Sequence, residues 1–121
     1  MPWVRLDDKF HGNPKTLAVG NAGAGLYVRA LSYCGDQLTD GWVPAGWARE
    51  AGGRTLPGKL EDAGLWFSVT GGEHYEYFLD GGGFYKPRIP GPGFFIPDYL
   101  LMNPDRIEAF APISESERDA A

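Results

Sequence analysis

The sequence predicts an α+β fold of winged-helix type, a three-helix bundle with a small antiparallel sheet and a hairpin wing. Three observations predict it. The stretch LTDGWVPAGW, residues 38–47, sets a minimal apolar strand between two turns. A strongly periodic helical segment precedes that strand, and two shorter helical segments follow it. Beyond them, two runs rich in aromatic and β-branched residues flank the turn Thr70-Gly71-Gly72-Glu73 and read as a hairpin. In the order helix, strand, helix, helix, hairpin, the minimal strand pairs with the hairpin and completes a three-stranded sheet.

Each element has a local cause. Residues 3–6 alternate Trp3 and Arg5 with Val4 and Leu6, the two-residue period of a short strand. Asn13-Pro14 marks a helix start, because Asn accepts from free N–H groups and Pro needs no donor in the first turn. A short helix follows through residues 17–19, and the glycine-rich run GNAGAG at 20–25 interrupts it. Over residues 24–38, Leu26, Tyr27, Ala30, Leu31, Cys34 and Leu38 share one face while Arg29, Ser32 and Asp36 point away. Gly41 and Pro44 bracket the strand Trp42-Val43. Residues 45–51 make two helical turns ended by Gly52-Gly53. Thr55 then caps a helix that holds Leu56, Leu60 and Ala63 on one face, and a left-handed Gly64 brings Leu65 back onto Leu60.

The hairpin strands fall at residues 65–69 and 74–79. Residues 80–93, dense in Gly and Pro, read as a loop or extended arm that cannot continue a sheet interior. Residues 94–102 are apolar again, and Asn103-Pro104 repeats the helix-start signal for a short helix over 105–110. Leu60, Leu65, Leu26, Leu31 and Trp66 are expected to meet in one core. The organisation expected is a single domain over residues 1–110, with an insertion at 80–93 and an acidic tail at 111–121.

Composition narrows the function. The chain has 121 residues, 43% of them apolar, enough for one core. No apolar run approaches the roughly 18 residues of a membrane span, and Asp7 and Asp8 stand where a signal peptide would be apolar, so a cytoplasmic protein without a membrane partner is expected. The lone Cys34 agrees with a reducing compartment. The net charge of −5 is unevenly spread: residues 1–60 hold seven bases and five acids, residues 61–121 four bases and eleven acids.

The segments WVRLDDKFHGNPK, LYVRALSYCGDQLTDGWVP, KLEDAGLW and PDYLLMNPDR together resemble the N-terminal winged-helix domain of replication-initiation and helix-turn-helix proteins of actinobacterial phages and their hosts. In that family a tryptophan-led strand, a His-Pro-Lys-type helix start, a "tDG-x-vP" strand, an "eaGLW" helix end and a closing "hdyl-x-yNp" segment occur in this order. The match covers most of residues 3–106. It departs at His11, which is displaced from the helix start, and at residues 80–93, which look inserted between the hairpin and the closing motif. The resemblance implies a phage-encoded protein acting in the host cytoplasm, with the helix over 55–63 in the DNA major groove and the hairpin tip over a phosphate strand or the minor groove. The residues after the matched segments are few and carry no basic or catalytic run, so a stand-alone module is expected.

Two functions follow as expectations. In the first, a small DNA-binding or replication-associated protein, Arg49, Arg54 and Lys59 contact phosphate or base, and Lys86 and Arg88 are auxiliary contacts. Its partner is double-stranded DNA, bound weakly and with strong salt dependence. In the second, a non-catalytic protein-interaction module such as a phage protein acting on a host target, Trp47, Trp66, Phe84, Tyr85, Phe94 and Phe95 dock on a partner. Catalysis is not expected. His11 and His74 lack neighbours at metal-ligand spacing, and GNAGAG lacks the preceding strand and spacing of a phosphate loop, so neither a metal nor a cofactor is implied.

Overall fold

The computed structural model describes residues 3–79 and 81–104, and helix α1 (Pro14–Gln37) starts where Asn13 and Pro14 direct it. The Asn13 side chain accepts the Lys15 N–H at 2.9 Å. The glycine run interrupts the helix as expected, but only at its first residue. Gly20 alone leaves helical geometry, at φ 70°, and kinks α1, while residues 21–25 stay helical. Gly23 has a packing role there: a Cβ would stand 2.4 Å from Val19 Cβ and 3.4 Å from a methyl of Leu60. Its bare backbone therefore admits side chains that close the core. α1 ends at Leu38, the one non-glycine residue with positive φ among those described (57°).

Strand β1 (Trp42–Pro44), helix α2 (Ala45–Gly52) and helix α3 (Leu56–Asp62) follow as the sequence predicts. Thr55 differs: its side chain caps nothing, and the indole N–H of Trp66 instead donates to the Pro57 carbonyl at 2.9 Å, tying the start of α3 to the core. The end of α3 is the expected Schellman turn. Gly64 takes φ 82°, Leu65 N–H donates to Leu60 O at 2.9 Å, and Gly64 N–H to Glu61 O at 3.0 Å.

The strands pair differently from expectation. β2 (Phe67–Val69) does not form a hairpin with residues 74–79. It pairs antiparallel with β5 (Gly93–Phe95), which also pairs with β1, so the sheet order is β1-β5-β2. β3 (Tyr77–Phe78) pairs with β4 (Phe84–Tyr85) in a separate two-stranded ribbon. The cause lies in the turn after β2. Glu73 turns its carboxylate back to accept the N–H groups of Thr70 and Gly71 at 2.6 and 2.7 Å, while Gly72 N–H donates to Ile89 O at 2.8 Å. The Thr70 N–H first, and the Gly71 N–H with it, hold the Glu73 carboxyl below its ordinary pKa. Residues 80–93 therefore lie inside the hairpin rather than after it. Part of that segment also enters the sheets, through β4 and the first residue of β5. Glycine makes the latter possible, since a Cβ on Gly93 would overlap the Val43 carbonyl.

Helix α4 (Asp98–Met102) ends at Asn103, a fully buried side chain that accepts Arg5 N–H at 2.8 Å and donates to Tyr99 O at 2.9 Å. Residues 3–6, expected as a strand, are held here but join no sheet among the described residues. The expected helix over 105–110 and the tail at 111–121 lie outside the described residues. The four helices and small antiparallel sheet make an α+β fold, an arrangement compatible with a winged-helix-like class. None of the helices described is long and apolar enough to cross a membrane.

Leu26, Leu31, Leu60, Leu65 and Trp66 share one buried cluster with Cys34, Val43, Tyr99 and Leu100. A second cluster joins Val69, Ile89 and Phe95 where the arm meets the sheet. Burial pushes the Cys34 thiol up from 9.0 to about 12, and it raises the Tyr27 and Tyr77 hydroxyls as well. Each of these groups holds its proton longer in the folded chain than in the unfolded one. Their contribution is whole below the unfolded pKa and is lost as pH rises. Chemical denaturation should show stability falling from about pH 9 toward pH 12, with Cys34 inert to thiol reagents in the native state.

Candidate nucleic-acid interface

Two short helices and a glycine turn set the candidate site. Gly53, at φ 74°, carries the chain from α2 to α3, and its N–H donates to Arg49 O at 2.8 Å. At the other end of α2, Ala45 N–H donates to Pro92 O at 3.1 Å, which seats the helix against the entry to β5. Between these parts lies a surface depression of about 540 Å³. Ala45 and Arg49 line it from α2, Gly53 and Arg54 from the turn, Pro57 and Gly58 from α3, and Phe94 from β5.

The structure thus brings Arg49 and Arg54 to one depression. Lys59 is exposed on α3 but does not line it. No carboxylate lies within ion-pair distance of these three cations among the described residues. The sequence counts Glu50, Glu61 and Asp62 against them, yet Glu61 is turned away: it accepts the Ser68 N–H at 3.0 Å and the Ser68 hydroxyl at 2.6 Å. The depression itself has no acidic lining.

Phe94 is half-buried and stacks on Trp66, with ring centroids 4.5 Å apart and planes 17° apart. Trp66 is fully buried beneath it. On the α3 side, Gly58 has nothing within 4 Å of an added Cβ. Gly58→Ala should therefore raise stability by about 0.5–1 kcal/mol, read from the urea midpoint, because alanine restricts the unfolded chain and favours the helix.

Lys86 and Arg88 stand on the arm, apart from this depression. Both are exposed, and Lys86 Nζ lies 5.4 Å from the centroid of the Phe84 ring. The arm is not a free strap. Asp40 Oδ2 accepts the Tyr85 hydroxyl at 2.7 Å and the Arg88 N–H at 3.1 Å, Tyr77 donates to Pro97 O at 2.6 Å, and Trp42 Nε1 donates to Gly91 O at 3.1 Å. The role of Asp40 was not readable from the sequence, since its partners lie 45 and 48 residues away.

The aromatic set expected for a protein partner divides. Phe95 and Trp66 are fully buried in the core and offer a partner no surface, which corrects their assignment. Trp47 packs at 4.9 Å on Tyr33 with Arg29 at 6.0 Å over its ring, and Tyr85 is held by Asp40. Phe84 remains 38% exposed. Beside it, sequence reasoning missed Phe78, which is 83% exposed. The signal was present in the Tyr-Phe and Phe-Tyr pairs around Gly81-Gly82-Gly83, where alternation sends both Phe rings to one face of a ribbon.

Among the described residues no cluster of His, Cys, Asp or Glu could hold a metal ion. Comparison of the chain with family models, with curated proteins and with solved structures finds no match.

Proposed function

We propose that this chain is a small winged-helix DNA-binding protein, with α2 and α3 as its helix-turn-helix and β2, β5 and the segment between them as an enlarged wing. The observation that carries this reading is the convergence of Arg49 and Arg54 on one acid-free depression, with Lys59 exposed nearby on α3. Guanidinium groups freed from carboxylates keep their donors for phosphate. The sheet order supports the reading, because β1 pairs with β5, the antiparallel partner of β2, and so closes a three-stranded sheet beside α2. The family resemblance adds a setting in phage DNA replication, in the host cytoplasm.

The acidic second half of the chain keeps the interaction weak. Affinity for random duplex at physiological salt should fall at the weak end of roughly 10⁻⁴ to 10⁻⁶ M. The test compares the protein with an Arg54→Ala, Lys59→Ala double variant on several unrelated duplexes by fluorescence anisotropy. Weakening on every sequence supports the reading. Unaltered binding in the variant contradicts it.

One observation favours a protein-interaction module instead, namely the Phe78 and Phe84 rings exposed on one face of the ribbon. Under the DNA reading, Phe78→Ser leaves duplex affinity within about twofold. A loss of solution self-association or of partner capture in that variant, with no duplex binding by the parent protein, favours the interaction module.

A further inference from the structure

The depression at the α2–α3 turn combines three features that duplex phosphate contact alone does not require. Its two arginines share the lining with Phe94, whose ring stacks on Trp66. Its α3 wall is Gly58, and its turn wall is Gly53, each with open space where a side chain would begin. Its volume of about 540 Å³ leaves room for a single nucleotide.

Resting on the DNA-binding reading above, we infer that this depression takes one unpaired nucleotide, its base on Phe94 and its phosphate met by Arg49 and Arg54. A base needs a flat apolar support and room beside it. Phe94, backed by Trp66, is the support, and at Gly53 and Gly58 no side chain narrows the depression. The neighbouring phosphate needs donors that no carboxylate has taken. Arg49 and Arg54 meet that condition, and the absence of an acidic lining leaves the phosphate unopposed. Either a free nucleotide or one at the end of a DNA strand carries this chemistry. The consequence for the protein is a preference for DNA with an unpaired end over a blunt duplex.

The test uses the whole chain and four probes at one salt concentration. They are a blunt duplex, the same duplex with a single-nucleotide overhang, the same duplex with an abasic overhang, and a deoxynucleoside monophosphate as competitor. The overhang should bind on the order of tenfold more tightly than the blunt end, and the abasic overhang should lose most of that gain. Phe94→Leu removes the stacking ring, and Gly58→Gln fills the space with a good helix former in open solvent. Both should bring the overhang-to-blunt ratio to about one, with thermal unfolding confirming that each variant is folded.

Release of the overhang probe by the monophosphate identifies a site that also accepts free nucleotides. Its retention identifies a site for nucleotides held in a strand. A ratio near one in the unmodified protein overturns the inference, as does a ratio that survives in both folded variants. The DNA-binding reading fails separately: it falls if blunt-duplex binding ignores Arg54 and Lys59, even when the overhang preference persists.

Discussion

Trp66→Ala is expected to cost about 3–5 kcal/mol of stability, a large share of the roughly 5–15 kcal/mol that holds a domain of this size. Three losses combine at one position. Trp66 is fully buried, so truncation leaves a cavity among Leu60, Leu65 and the strands. Its indole N–H is the donor to the Pro57 carbonyl, which loses that partner. Its ring is also the support of Phe94, and through Phe94 of the central strand β5. Trp3→Ala is the matching control, because Trp3 is 84% exposed and should change the urea midpoint little. If the two variants unfold alike, the core assignment is wrong.

The second large effect concerns binding. Replacing Arg49, Arg54 and Lys59 together by alanine should reduce duplex affinity by at least about tenfold at low salt, with little change in stability. All three residues are exposed and make no ion pair among the described residues, so their removal breaks no ion pair there. The loss should be uniform across sequences, since phosphate contacts position a protein without reading bases. A loss confined to one sequence would reassign these residues to base recognition.

Local chemistry was legible in the sequence, and long-range pairing was not. Asn13, Gly41, Pro44, Gly53 and Gly64 each fix the backbone within a few residues of themselves, and the structure has a helix start, a strand boundary or a turn at each. The core face of α1 was readable from Leu26 to Cys34, which follow the helical period, but Leu38, expected on the same face, is the left-handed residue that ends the helix and is 64% exposed. Strand partners carry no such local mark. Residues 74–79 and 93–95 are both rich in aromatic residues, and either could pair with β2 on pattern alone. The choice depends on Glu73 closing its own turn and on Gly93 letting Val43 approach, which are contacts and not periodicities.

The site was legible to the same degree. Arg49, Arg54 and Lys59 were identifiable as the exposed bases of α2, the turn and α3. Counting charge along the chain gave a neutral helix pair, because counting does not know that Ser68 draws Glu61 to the sheet. The aromatic residues were harder. Phe94 and Phe95 are adjacent and chemically identical, yet alternation in β5 sends Phe95 into the core and leaves Phe94 at the depression. With the strand register unknown, the two could not be told apart.

The measurement that tests the central claim most directly is the affinity for random duplex across a salt series. Arg49, Arg54 and Lys59 give a log–log slope of about −3, and five cations, with Lys86 and Arg88 engaged, give about −4 to −5. The account predicts a slope in that range, reduced by about two units in the Arg54→Ala, Lys59→Ala variant. Undetectable binding at low salt, or a slope that the double variant leaves unchanged, would contradict it.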